Sequence, residues 1–416
     1  MTQSPTTSLK QSNIPWIGEI PEDWEVRRLK FLARIQTGDK DTQDNLPDGI
    51  YPFFVRSENI ESLDSYSMDC EAVLTAGDGV GAGRVFHYFQ GKFAFHQRVY
   101  AFTDFRKVTG KYLYYFMKSN FYNEVLRISA KSTVDSLRLP MLQNFQIPLP
   151  PLSTQTAIAN FLDQKTTEIK KLVENKRKLI ELLKEQKQSI IHRAVTKGID
   201  PNAKMKESGI PWIGEIPEDW EVRRLKMLSN IKRGASPRPI DDKKYFDDNG
   251  EFAWVRISDV SASNMYLETT EQQLSELGAS LSVKQYPGDL FLSIAGSVGK
   301  PIIANIKCCI HDGFVTFGKL NERINKMYLF YILYSGLAYS GIGKEGTQLN
   351  LNIDTVGNIV IPLPNNFTQN KIIQYIEQQL SQIDSAIAKI EQEIALIEEY
   401  QTSLIYQTVT GKISIS

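Results

Sequence analysis

Residues Ile14–Lys30 read IPWIGEIPEDWEVRRLK, and Ile210–Lys226 repeat the same seventeen letters 196 positions later. Chance does not produce such an identity, so the chain is a duplication and both halves must reach the same fold. Weaker matches follow in the same order. FVRSENI from Phe54 faces WVRISDV from Trp254; FHQRVYAF from Phe95 faces IHDGFVTF from Ile310; YLYYFMKS from Tyr112 faces YLFYILYS from Tyr328. IPLPPLSTQ from Ile147 faces IPLPNNFTQ from Ile361, now at an offset of 214, and VTKG at Val195 faces VTGK at Val409. A period near 200 residues means duplicated domains rather than a solenoid. The pattern divides the chain into a lead segment 1–30, a diverged domain 31–152, a long helix 153–198, a linker with the repeated lead motif 199–226, a second diverged domain 227–366 and a C-terminal long helix 367–416. The class is α+β, with two pseudo-symmetric domains joined by two long helices.

After the second IPLP, apolar residues fall at Ile376, Leu380, Ile383, Ile387, Ile390, Ile394, Ile397 and Leu404, alternating steps of four and three before a final seven. This is a heptad seam, broken only at Gln401. The first half keeps it at Leu162, Ile169, Val173, Ile180, Leu183 and Ile190, with polar interruptions at Thr166 and Lys176. Ser153 or Thr154 is expected to cap the first helix, and Gly198 and Gly411 sit where a helix C-terminus takes a left-handed residue. Residues 154–197 hold ten basic and five acidic side chains; residues 368–412 hold three and six. Opposite signs favour pairing of the two helices with each other. The seam sets no direction by itself, but halves related by a two-fold axis need an antiparallel pair. Ile376–Leu404 spans roughly 42 Å of helix, beside about 34–36 Å for one turn of B-DNA.

Lys plus Arg equals Asp plus Glu at 48 each. A neutral chain does not by itself supply the basic surface that nucleic acid needs, so charge must be clustered or a partner must contribute it. No run of apolar residues is long enough to span a membrane. The three cysteines, Cys70, Cys308 and Cys309, offer no disulfide framework, and a reducing cytoplasm is expected.

The order of lead motif (IPEDWEVRRL), diverged block, IPLPPLSTQTAIANFLD and long helix, given twice, resembles the specificity subunits of type I restriction–modification systems over nearly the whole chain. The resemblance implies an antiparallel coiled coil and two target-recognition domains, each reading one half of a bipartite double-stranded DNA site with an unread spacer. It implies two modification subunits carrying S-adenosylmethionine, and restriction subunits using ATP and magnesium. No cofactor is expected on this chain.

The residues themselves offer little catalytic chemistry. GDGVGAG at Gly77–Gly83 could mimic a cofactor cradle, but a lone glycine-rich loop is weak evidence. Its counterpart AGSVGK at Ala295–Lys300 has fewer glycines, and a flexible turn near DNA is expected in both. The only Pro-Pro, at Pro150–Pro151, is followed by Leu152, not by the aromatic residue of an amino-methyltransferase motif. Glu22, Asp23 and Glu25 distantly mimic a metal-holding cluster, and a turn before Trp24 (and Trp220) explains them better. The four histidines lack metal-ligand spacing.

Base reading needs polar side chains on loops, with Arg suited to guanine and Asn or Gln to adenine. The first domain offers Arg56, Ser57, Asn59, Arg84, His96, Gln97, Arg98, Lys131, Ser132 and Thr133. The second offers Arg256, Ser258, Asp259, Ser297, Lys300, His311, Asp312, Lys344, Thr347, Gln348 and Asn350. Arg56 and Arg256 have an alternative reading as structural ion-pair partners, and His96 and His311 as buried hydrogen-bonded groups. The aromatic runs at Tyr112 and Tyr328 are expected to be core helices. The repeated tryptophans are expected to be packing anchors, and the identity of the lead motif suits docking of two identical partners. The competing readings are a coiled-coil scaffold that reads no bases and a stand-alone enzyme; diverged domains beside an identical lead motif favour two DNA readers.

Overall fold

A computed structural model describes residues 8–129, 136–339 and 351–415. The chain forms two compact units: residues 1–177 with 390–416, and residues 178–389. Each contains one lead motif, one diverged domain and a stretch of both long helices.

In the first unit the lead motif forms a hairpin, Leu9–Gln11 against Glu19–Pro21, with Lys10 opposite Ile20. The chain then enters strand Glu25–Arg28, which pairs antiparallel with Gln146–Leu149. The lead motif and the IPLP segment therefore recur together because they are strand partners. The second unit repeats both pairings, Met205–Glu207 with Glu215–Pro217 and Glu221–Arg224 with Val360–Leu363. Ile14, Ile17, Ile20 and Trp24 are buried, as are Ile213, Ile216 and Trp220.

Between these strands the first domain folds a six-stranded sheet in the order Arg34–Thr37, Val99–Thr103, Met68–Ala76, Phe86–Phe95, Tyr51–Phe54, Ile60–Leu63. The second domain keeps this order but divides it between two sheets. Where the first has the single strand Phe86–Phe95, the second has Pro301–Ala304 in a five-stranded sheet and Cys308–Ile310 in a four-stranded one. The first domain carries Gly91 at the matching place, at φ 132°, a conformation that only glycine takes readily. The aromatic runs lie on helices Gly110–Ser129 and Lys326–Tyr334, with Tyr112, Leu113 and Phe116, and Tyr328, Leu329 and Phe330, buried. All three cysteines are free thiols.

The long helices run from Leu152 to Lys197 and from Asn366 to Val409. Every seam residue is buried or half-buried. In the first unit Lys176 pairs with Glu393, and Arg177 with Glu398 at 3.1 Å. In the second Lys187 pairs with Asp384 at 2.6 Å. The base comes from the central helix and the acid from the C-terminal helix each time, and the helices run antiparallel. The central helix starts one residue earlier than expected, at Leu152, so Ser153 and Thr154 lie inside its first turn rather than at its cap. The C-terminal helix is capped by Asn365, whose side chain accepts the Thr368 N–H at 3.0 Å.

Gly198 and Gly411 end the helices at φ 75° and 74°. A Cβ on Gly198 would meet the Trp220 ring at 3.2 Å, and one on Gly411 the Pro21 ring at 2.5 Å. The central helix thus ends on the second lead motif, and the C-terminal helix ends on the first. Two hydroxyls tie the domains to these ends. Tyr112 reaches the carbonyls of Pro148 (2.7 Å) and Val409 (3.1 Å); Tyr328 reaches those of Pro362 (3.3 Å) and Val195 (3.0 Å). Two buried glutamines tie them to the helix starts. Gln155 donates to the carbonyls of Lys107 and Pro150 and accepts the Thr109 N–H. Gln369 does the same with Arg323, Pro364 and Asn325.

Candidate nucleic-acid interface

In the first domain three loops converge. Arg56 follows strand Tyr51–Phe54, which pairs in parallel with the end of Phe86–Phe95, so Arg56 lies beside His96–Arg98. The glycine-rich loop Gly77–Gly83 wedges between them. The Gly77 N–H donates to the Arg98 carbonyl at 2.8 Å, and a Cβ on Gly81 would lie 2.3 Å from the Arg56 carbonyl oxygen. The loop is therefore held, not the flexible turn expected. Close backbone approach explains Gly77 and Gly81, and positive φ, 70° and 68°, explains Gly79 and Gly83.

Asp78 projects from this loop and accepts from both arginines, Arg56 at 3.1 Å and Arg98 at 2.5 Å. Burial pushes its carboxyl pKa up, but the hydrogen bonds and charges of Arg98 and Arg56 outweigh this and hold it below the ordinary value. His96 is buried, and its Nδ1 accepts the Arg98 N–H at 2.9 Å. Burial lowers the imidazole pKa, which keeps the ring neutral and suited to that acceptor role. Gln97 donates to Asp41 at 2.7 Å. Arg84 bonds the Tyr122 hydroxyl and stacks 4.2 Å from its ring centre. The Ser57 hydroxyl donates to the Asn59 carbonyl.

The second domain places different chemistry on the same frame. His311 again accepts the N–H two residues on, from Gly313 at 2.8 Å, and burial again lowers its pKa. Asp312 accepts from Ser236 (2.9 Å) and Arg238 (3.2 Å). Arg256 donates to Gln272 at 2.6 Å, and its own N–H is capped by Asp259. Ser258 is exposed on the same short helix, Ile257–Ala262. Trp254, Arg256, Gln272 and His311 line an open cleft of about 650 Å³. Lys300 points its ammonium at the carbonyls of Ser261 (3.0 Å) and Ser263 (2.6 Å), and burial lowers its pKa. Ser297 shares a hydrogen bond with Ser261 at 2.6 Å. The frame thus brings Arg56, His96, Gln97 and Arg98 together, and likewise Arg256, His311 and Asp312. It sets the Lys300 ammonium against backbone carbonyls and the Ser297 hydroxyl against that of Ser261 instead. Lys131, Ser132, Thr133, Lys344, Thr347, Gln348 and Asn350 lie outside the described residues.

The family model of the type I restriction modification DNA specificity domain matches residues 21–182 and again 217–399. The chain belongs to that specificity family. A curated specificity subunit, that of the type I restriction enzyme MjaVIII of Methanocaldococcus jannaschii, is 27% identical over 95% of this chain and 94% of its own length. The EcoDI specificity subunit of Escherichia coli is 21% identical over 95% and 90%. The fold is that of the HsdS subunit from Thermoanaerobacter tengcongensis, with TM-score 0.54 and 17% identity over 95% of this chain and 98% of that one. A chain described under complex assembly and conformational transition of the type I R-M system matches with TM-score 0.71 and 16% identity over 95% and 99%.

For a specificity subunit, sequence reasoning missed Asp78, Asp41, Tyr122, Gln272, Ser236 and Arg238. Asp78 stands inside GDGVGAG, where the glycines dominate the pattern. Arg233, Ser236 and Arg238 form a polar run, RGASPR, whose nearness to His311 only the fold reveals.

Proposed function

We propose that the chain is the non-catalytic DNA reader of a type I restriction–modification complex. Each diverged domain reads one half of a bipartite double-stranded site, and the paired helices fix the unread spacer. Two methyltransferase subunits assemble on the chain and restriction subunits join them. S-adenosylmethionine, ATP and magnesium belong to those partners, in the cytoplasm. Among the described residues no helix is long and apolar enough to cross a membrane.

One observation carries this reading: an identical support presents unlike loops. Hairpin, IPLP strand, tyrosine and glutamine recur at matching positions, and the capping glycine recurs one place earlier in the second copy. Yet His-Gln-Arg stands at 96–98 where His-Asp-Gly stands at 311–313. A scaffold for two identical partners gains nothing from such divergence; a reader of two different half-sites requires it. The neutral net charge calls for partners that add basic surface around DNA. Trp24 and Trp220 are buried, so partners cannot dock on those rings. Both helices do expose apolar residues away from the seam: Leu172, Leu179 and Leu182 on one, Leu396 and Tyr400 on the other. Leu182 and Leu396 are equivalent positions, as docking of two like subunits requires.

The test is co-expression with the adjacent methyltransferase subunit in a bacterium free of adenine methylation, followed by sequencing that reports N6-methyladenine. A two-part motif that appears only when this chain is present is the expected result. An assembled complex that methylates nothing would overturn the reading.

A further inference from the structure

We propose that Arg56 and Arg98 together form the guanine-reading fork of the first domain, and that Asp78 is the positioning residue that aims them. The inference rests on the specificity reading above and goes beyond it by assigning a base and a supporting group.

Two guanidinium groups side by side repel, and free arginine side chains lose rotamer entropy when they dock on a base edge. The Asp78 carboxylate answers both costs. It takes one N–H from each arginine and spans them from a single atom pair. Each guanidinium has five donors, so most of each fork stays available. Exposure follows that division: Asp78 is 17% exposed, whereas Arg56 and Arg98 are 44% and 61% exposed.

The carboxylate is itself fixed from both sides. Gly77 binds the Arg98 carbonyl through its N–H and accepts from Leu137 at 2.7 Å, and Asp78 bridges to Ser136. Gly81 abuts the Arg56 backbone too closely for any side chain. The loop therefore locks both arginine-bearing turns and their shared acceptor as one body. Arginine presents a rigid two-donor fork that matches O6 and N7 of guanine in the major groove. Among the described residues the second domain lacks this triad. Arg256 is engaged by Gln272, and Asp312 takes Ser236 and Arg238, so its half-site must be read otherwise.

The experiment uses the assembled complex of this chain with its methyltransferase subunits, and reads the methylated motif genome-wide for wild type, Asp78→Asn and Arg98→Lys. Arg98→Lys keeps the charge and the bond to Asp78 but loses the fork, which protects the test if Asp78→Asn unfolds. The expected wild-type motif contains a G·C pair in one half. Both variants bring methylation at sites with that pair replaced to within about tenfold of the cognate level, while the other half stays unchanged. A half-site of A·T pairs only, or a motif that both variants leave intact, overturns the inference. Uniform weakening at all positions with a shallower salt dependence also overturns it, because that marks arginines on phosphates. A wild-type complex with no motif at all would instead sink the specificity reading.

Discussion

Gln155 and Gln369 each satisfy three backbone groups from a fully buried side chain. Truncating either to alanine strands an amide N–H and two carbonyls in the interior. Gln155→Ala and Gln369→Ala should each cost about 2–3 kcal/mol, read as a fall in the denaturant midpoint. Asp78 makes a pH-dependent prediction. Its pKa is lower folded than unfolded, so its contribution is complete above about pH 4, the ordinary carboxyl value. It drains away as pH falls through the folded value. The stability gap between wild type and Asp78→Asn should therefore be present at pH 7 and close on acidification; a gap that does not narrow as pH falls below the ordinary carboxyl range would contradict the assignment. At this scale the sequence is half legible. STQ and FTQ are visible as repeats, but only the fold shows what their glutamines bind. Arg56 and Arg98 stand out as polar loop residues, whereas Asp78, some twenty residues from each, is joined to them by strand pairing alone. Lys300 reads like a free cation until its bonds to Ser261 and Ser263 are seen.

The helices were legible because a heptad depends only on local spacing. Polar interruptions did not hide it: Lys176 pairs with Glu393, and Thr166 turns its hydroxyl back to the Leu162 carbonyl. Leu162 is fully buried, and Leu162→Ala should cost about 2–4 kcal/mol. Leu182→Asp, on the exposed face, should leave the melting temperature nearly unchanged yet weaken assembly with the methyltransferase subunit in sedimentation measurements. The pair Lys187 and Asp384 is partly exposed; a double-mutant cycle should return about 0.2–1 kcal/mol of coupling, lost in high salt. Sheet order was not legible. Strand Tyr51–Phe54 pairs with a strand some forty residues on, and no local pattern announces such a partner. Nor does the sequence reveal that Phe86–Phe95 corresponds to two strands in the other half, because only the bend at Gly91 marks the place.

For the molecule as a whole, the junction that peptide bonds make in the second unit is made without them in the first. Gly198 leads into the second lead motif through the exposed turn at 199–202. Gly411 closes on Pro21 and Trp24 by packing, while Tyr406 donates to the Trp16 carbonyl at 3.0 Å and Lys412 to that of Glu19 at 2.6 Å. A permuted chain, joined by a short linker from Ile415 to Ser8 and opened at Pro201, should melt within a few degrees of the parent and, with its partners, mark the same sites. Loss of folding in that permutant would show that the noncovalent junction is not equivalent to the covalent one. Equivalence has an evolutionary corollary. A gene for one repeat already encodes the tyrosine and glycine contacts by which both helix ends are seated, provided a second copy of its product supplies the other half. Such an ancestor reads the same word twice. Fusion of two copies adds no new contact; it releases the two readers from sharing one spelling.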